Sequence, residues 1–246
     1  MNNNSNDFLG TEPVGKLLFK LAVPTLTAQL INMLYNMVDK IYIGHMPEGG
    51  DLALAGLGIC LPLILIVSAF SALVASGGAP RASIAMGRGE RDEAERIMGS
   101  CLTLLVIIAF GLTAVMLLWN REILLLFGAS GNIIDYAVDY MNIYAVGTVF
   151  VQLTLGMNSF ITAQGFTRQS MLTVLIGTFL NIVLDPVFIF VLDMGVRGAA
   201  LATVISQAVS CIWVLSFLRG RKTVLSIRGP YLKMDGKSSP HAWLWV

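Results

Sequence analysis

The sequence contains few charged residues. Only 13% of its 246 residues are Asp, Glu, Lys or Arg, whereas 56% are hydrophobic. A water-soluble domain carries roughly a quarter charged residues, so this composition excludes a globular protein that is solvated on all sides. The 16 Lys and Arg residues almost balance the 15 Asp and Glu residues, for a net charge of +1. The excess of positive charge that nucleic-acid binding needs is therefore missing.

Histidine and cysteine are also scarce. His45 and His241 are far apart in the sequence, and the three cysteines, Cys60, Cys101 and Cys211, each lie in an apolar run. Neither pattern has the spacing of metal ligands, and isolated cysteines in apolar runs are typical packing residues. We expect no disulfide framework, no metal centre apart from a possible sodium site, and no organic cofactor.

Long apolar stretches dominate what is present. Six are long enough to cross a hydrocarbon core of ~30 Å as helices, and alternating segments of ~10 residues, which a membrane barrel needs, are absent. The chain is therefore predicted to be an all-α polytopic membrane protein with a cytoplasmic N-terminal segment (1–16), a six-helix membrane region (17–218) and a cytoplasmic tail (219–246). The predicted spans are approximately Leu21 to Gly44, Leu52 to Ser76, Ile97 to Trp119, Ile133 to Gly156, Leu172 to Leu192 and Gly198 to Leu218.

The positive residues predict the orientation. With a cytoplasmic N-terminus, only Lys40, Arg121 and Arg197 of the 16 Lys and Arg residues fall on the outer side. Loops on the cytoplasmic side of a membrane carry the excess of Lys and Arg. Both termini are therefore expected in the cytoplasm, which places the protein in the plasma membrane as a multi-pass protein.

Two aspartates interrupt the apolar spans. Asp39 lies in the first span and Asp185 in the fifth, and a charged, unpaired carboxylate costs ~3 kcal/mol or more in hydrocarbon. Such residues mark functional sites in membrane proteins more often than they serve as contacts between helices. By contrast, Asp135 and Asp139 lie at an outer span end, where solvation explains them, and Lys40 is expected to extend outward to water.

Other polar side chains follow these aspartates at helical spacing. In the first span they form one stripe that should face protein or water, and further polar faces occur in the fifth and sixth spans. Counting from the outer span ends places Asp39, Asp185 and Thr203 about 7 to 12 Å inside the outer boundary. The side chains of Ser206, Ser210 and Thr25 are expected to form hydrogen bonds between helices. The three sets are Thr25, Gln29, Asn32, Asn36 and Asp39; Thr178, Asn181 and Asp185; and Thr203, Ser206, Gln207 and Ser210.

Three segments together resemble the multidrug and toxic compound extrusion (MATE) transporters. They are NMVDKIYIG (36–44), NIVLDPVFIF (181–190) and GVRGAALATVISQ (195–207). Each is weak alone, but their combination is specific, and the resemblance covers Lys16 to about Leu218.

The resemblance implies a transporter, not an enzyme. It would export cationic or amphipathic drugs in exchange for sodium or protons, with the drug and the lipid bilayer as its partners. The matching coupling residues are Asp39, Asn181, Asp185 and Thr203, and the expected cavity-lining residues are Gln29, Asn32, Asn36, Thr178 and Gln207.

The family also implies two six-helix lobes in tandem, whereas this sequence contains one. We expect that a missing C-terminal lobe, or a second copy of the chain, would be required for transport. The segment after Lys237 resembles the result of a premature stop or a reading-frame change, so the tail is expected to be a truncation or frameshift product.

Two alternatives stay open at this point. A flippase for lipid-linked oligosaccharides in the same superfamily would need several Arg or Lys residues in its cavity, and the spans contain almost none. An intramembrane aspartyl protease also needs two buried aspartates, but the Gly-x-Gly-Asp element expected at the second aspartate is missing, because Asp185 follows Ile182, Val183 and Leu184.

Overall fold

A computed structural model describes residues 13–47, 49–220 and 223–227. Within these residues, six helices are long and apolar enough to cross a membrane, which confirms the predicted fold class. A π-helical turn, Val187–Val191, extends α5. The helices are α1 Val14–Gly44, α2 Gly50–Gly87, α3 Arg91–Leu126, α4 Ile134–Ala163, α5 Thr167–Pro186 and α6 Gly195–Arg219.

Most helices are longer than the apolar stretches that predicted them. The second span was predicted to end near Ser76, but α2 continues to Gly87, and α3 begins at Arg91, before the predicted Ile97. Hydropathy identifies only the part of a helix that lies in hydrocarbon. It therefore does not predict the charged first and last turns. The charged run between these two spans is largely helical, and only Arg88 to Glu90 interrupt the helix there.

Helix α4 forms the centre of the bundle. It packs most extensively against α2, α3 and α6, whereas α1 packs mainly against α5, and α5 in turn packs against α6. We call the end at which α1 begins and α6 ends the terminal end, and the opposite end the far end. Separate apolar clusters fill the two ends, one around Tyr140 and Met141 and the other around Met157 and Phe160.

Glycines allow the closest helix contacts. A Cβ atom on Gly198, in the first turn of α6, would lie 2.7 Å from the backbone carbon and oxygen of Phe188 in the π-helical turn. A side chain on Gly147 of α4 would meet Val204 of α6. Close contact of this kind is the usual role of small residues between membrane helices.

The chain folds back after α6. Leu225 is fully buried in the terminal-end cluster, and its backbone N–H donates to Oε1 of Gln164 at 2.9 Å. The N–H of Ser226 donates to Oε1 of the buried Glu95 at 3.1 Å. The first part of the predicted tail therefore packs on the helices, while residues 228–246, including the segment after Lys237, lie outside the described residues.

Candidate functional site

Asp39 and Asp185 meet between α1 and α5. Asp185 is fully buried and Asp39 is 7% exposed, and the two carboxyl groups are close enough for one to hydrogen-bond the other if a proton is present. The packing of α1 along α5 brings them together. The depth estimate from the sequence had placed both residues in one layer, and the structure brings them into contact.

Neutral oxygen groups complete the cluster from α5 and α6. The Thr203 hydroxyl donates to Oδ1 of Asn181 at 3.4 Å, and both side chains are buried. Asn181 also lies beside Asp185, one turn along α5. Thr178 is buried one turn before Asn181 on the same face. All four predicted coupling residues therefore lie together, and we call Asp39, Asn181, Asp185 and Thr203 the carboxylate cluster.

Several polar atoms of the carboxylate cluster have no hydrogen-bond partner among the described residues. They are Oδ1 of Asp39, both carboxyl oxygens of Asp185 and Nδ2 of Asn181. Buried polar atoms are almost always paired with protein, water or an ion. Orphaned carboxylate oxygens facing one another therefore point to a cation or a proton as the missing partner.

Charge balance leads to the same expectation. None of the ion pairs between described residues includes Asp39 or Asp185. Two pairs at the far end join Arg197 to Asp139 at 2.9 Å and Arg121 to Asp135. Those two pairs are largely exposed at the far end, which agrees with the prediction that Asp135 and Asp139 are solvated. Two adjacent buried carboxylates repel each other unless a positive charge lies between them.

Three tyrosines on the side of the carboxylate cluster that faces α4 were not predicted: Tyr35 and Tyr140 lie near Asp39, and Tyr144 lies near Tyr35. The Tyr35 hydroxyl interacts with Thr203 and lies near both aspartates, while Tyr140 and Tyr144 stack with ring centroids 6.1 Å apart on α4. Tyr35 precedes Asp39 by four residues, so its helical spacing was a usable signal. The spacing was overlooked because a tyrosine within a span is usually interpreted as an interfacial residue.

The polar stripe of α1 divides in the structure. Asp39 is buried, whereas Thr25, Gln29, Asn32 and Asn36 are exposed. The Asn36 amide donates to the backbone oxygen of Asn32 at 2.7 Å, and the Thr25 hydroxyl donates to its own helix. These residues therefore lie outside the carboxylate cluster, on a face of α1 that this chain leaves uncovered.

Gln207, the remaining predicted cavity residue, lies on α6 one turn beyond Thr203. It is half-buried, and its backbone oxygen accepts a hydrogen bond from Thr154 of α4 at 3.3 Å. It thus lies inside the lobe, away from the exposed face of α1.

The carboxylate cluster contains only oxygen ligands: two carboxylates, an amide and a hydroxyl. Such groups suit hard cations such as sodium. The same pair of carboxyls can instead share one proton, since the repulsion between them favours protonation of one. The arrangement therefore offers ligands that suit either a monovalent cation or a shared proton.

Comparison with known proteins identifies the architecture. The protein-family model described as MatE matches residues 24–187. The chain is 25% identical over 218 residues to the multidrug export protein MepA of Staphylococcus haemolyticus, and 25% identical over 217 residues to MepA of Staphylococcus aureus. These alignments cover 89% and 87% of the chain but only 48% and 47% of the relatives.

Solved structures give the same result. The chain superposes on a crystal structure of MATE in the straight conformation with a TM-score of 0.81, and on one in the bent conformation with a TM-score of 0.83. Identity is 25% in both cases, and the matches cover 88% and 93% of the chain but 48% and 50% of those proteins. The chain thus spans about half the length of the relatives it matches, which corresponds to one six-helix lobe.

Proposed function

Because the chain belongs to the MatE family of multidrug and toxic compound extrusion transporters, we propose that it forms the ion-coupling lobe of an antiporter. The antiporter exports cationic or amphipathic drugs in exchange for sodium or protons across the plasma membrane, with both chain termini in the cytoplasm. The observation that carries the proposal is the contact between two buried carboxyl groups, Asp39 and Asp185, which have no ion-pair partner among the described residues. The names of the MepA relatives supply the substrate class.

The ion would act by removing repulsion. Without it, two carboxylates at the contact between α1 and α5 push these helices apart, and a bound cation or proton allows them to approach. Helix α1 has few other contacts to hold it, since most of its surface is exposed and it packs mainly against α5. It also contains Pro24, where one backbone hydrogen bond is missing. Ion binding would therefore change the position or bend of α1, and a drug held against its exposed polar face would be released outward.

Sodium binding by the purified chain tests this proposal. We expect titration calorimetry in detergent to detect sodium binding that Asp39→Asn weakens by about tenfold or more, because a lost charged ligand removes on the order of 1.4 kcal/mol or more. Asp185→Asn should have the same effect. If protons are the coupling ion, raising the pH of the purified chain should instead release the proton that the two carboxyl groups share. Asp39→Asn should abolish the release of that proton.

Asp139→Asn is the matched control. Asp139 also lies near the far end, but it is partly exposed and paired with Arg197, so its loss should leave ion binding unchanged. The proposal is wrong if Asp39→Asn and Asp139→Asn bind both ions as the unchanged chain does.

A further inference from the structure

A second group of buried polar side chains continues from the carboxylate cluster toward the terminal end. Ser206 and Ser210 of α6 are 2% and 1% exposed, and Thr173 of α5 is equally buried. Asn158 of α4 and Ser170 of α5 follow, closer to the terminal end, and both are half-buried. We call these five residues the polar track. Its position follows from the antiparallel courses of α5 and α6, whose polar faces meet along their length.

Contacts connect the polar track to the surface. The Ser210 hydroxyl donates to the backbone oxygen of Thr173 at 3.2 Å, and the Asn158 amide donates to the backbone oxygen of Ser170 at 3.4 Å. The Ser170 hydroxyl accepts from that of Thr162 at 2.9 Å. Thr162 is exposed at the terminal end of α4. Polar groups therefore recur at helical spacing along α5 and α6 between the carboxylate cluster and the surface of the lobe.

A glycine lets α5 pack closely against the polar track. Gly177 of α5 lies beside Ser210, and a Cβ atom at Gly177 would be 2.6 Å from the Ser210 hydroxyl and 3.9 Å from the backbone oxygen of Ser206. The absence of a side chain here allows the hydroxyl to face α5 directly. A side chain at Gly177 would collide with the Ser210 hydroxyl.

Unpaired polar atoms distinguish the polar track from ordinary helix contacts. Neither the Ser206 hydroxyl nor Oδ1 of Asn158 has a hydrogen-bond partner among the described residues. The same holds for Nδ2 of Asn181, which is 2% exposed and lies where the polar track meets the carboxylate cluster. A membrane serine usually donates to its own helix, which Ser206 does not do. Buried polar groups of this kind are generally satisfied by ordered water.

We propose that the polar track is a hydrated passage that carries the coupling ion between the carboxylate cluster and the terminal end, within this lobe. The inference rests on the proposed function, since the passage serves a site that binds an ion. Its lining offers hydroxyl, amide and backbone oxygens, which replace part of a cation's hydration shell without the strong binding that a carboxylate would cause. The drug and the ion would then use different routes, because the drug requires the uncovered face of α1.

Silver ions provide the test, since Ag⁺ is a small monovalent cation that reacts with thiols in water. In a chain with Cys60 and Cys101 replaced by alanine, one variant keeps Cys211 and others carry Cys211→Ala with Ser206→Cys or Ser210→Cys. Cys211 is the matched control, because it follows Ser210 directly but belongs to the apolar terminal-end cluster. Membrane vesicles are treated with silver nitrate in chloride-free buffer, and the thiols left unreacted are then alkylated after denaturation. A Thr162→Cys variant, labelled with an impermeant maleimide, identifies vesicles whose terminal end faces the medium.

We expect Ag⁺ added at the terminal end to react with Ser206→Cys and Ser210→Cys at least about tenfold faster than with Cys211. Equal rates at Ser210→Cys and Cys211, or reaction of Ser206→Cys only from the far end, would overturn the passage. Sodium titration of the same variants separates the two proposals. A reactive track without Asp39-dependent ion binding supports the passage and contradicts the proposed function, whereas ion binding with an unreactive track contradicts the passage alone.

Discussion

At the scale of single residues, the carboxylate cluster shows what a sequence can and cannot predict. Asp39 and Asp185 stand out because a carboxylate in an apolar span needs a partner, and their equal depth indicated that they share a layer. Depth does not give the rotation of a helix about its axis, however, so contact between them could not be predicted. Tyr35 was not predicted because a tyrosine within a span is usually interpreted as an interfacial residue, although its spacing from Asp39 places both residues on one face of α1.

Removing that hydroxyl tests its role. Tyr35→Phe keeps the ring between α1 and the rest of the lobe but removes the group beside Thr203. We expect ion affinity to fall by about two- to fivefold, less than for Asp39→Asn, because a neutral hydrogen bond contributes about 0.5–1.5 kcal/mol. Calorimetric titration of the purified variant measures the change.

Tyr42→Phe on the same helix is the control for this prediction. The Tyr42 ring packs edge-on against Phe190, with centroids 6.3 Å apart, two turns beyond Tyr35. Its affinity should equal that of the unchanged chain. An equal loss in both variants would show that α1 as a whole had been perturbed, and the specific role of Tyr35 would be rejected.

At the scale of helices, hydropathy predicted all six spans but not which side of each helix faces its neighbours. The spacing from Thr25 to Asp39 correctly indicates one polar stripe, yet only Asp39 is buried. The apolar side of α1 gives no further guidance, because in a membrane an apolar surface is equally suited to lipid and to protein. The rotation of α1 is instead determined by its contact with α5, which is a property of the folded lobe.

Close packing at the start of α6 should hold Thr203 in place. Gly198→Ala would put a methyl group 2.7 Å from the backbone of Phe188. The backbone of Phe188 cannot move away without displacing the π-helical turn. Overpacking of this kind costs typically 1–3 kcal/mol. We expect a lower thermal midpoint in detergent and weaker ion binding, because Thr203 follows Gly198 by just over one helical turn.

Gly58→Ala gives the comparison, since Gly58 is a glycine inside α2 with nothing within 4 Å of an added Cβ. Alanine is the better helix former by roughly 0.5–1 kcal/mol, so this variant should be unchanged or slightly more stable. If Gly198→Ala melts at or above the temperature of Gly58→Ala, the contact with Phe188 does not limit the position of α6.

At the scale of the whole molecule, the proposed ion site lies within this chain, whereas the proposed drug pathway is bordered by the chain on one side only. Every member of the carboxylate cluster comes from α1, α5 or α6, so the proposed ion binding should require only this lobe. The face of α1 that carries Gln29, Asn32 and Asn36 is exposed, and polar side chains are unfavourable against lipid. A drug pathway along this face would need a second wall. In the two-lobe arrangement that the family implies, the other lobe would form that wall.

These two properties should separate in an export assay. Cells that produce only this chain are expected to accumulate ethidium as fast as cells with an empty vector, although the purified chain binds the coupling ion in an Asp39-dependent way. Production together with a second lobe should lower accumulation, and Asp39→Asn should restore it while leaving the amount of membrane-inserted protein unchanged. If the chain alone exports ethidium in an Asp39-dependent way, two copies must supply both walls. An Asn32→Cys variant should then be cross-linked into a dimer by a bifunctional maleimide, because Asn32 of each copy would face the shared pathway.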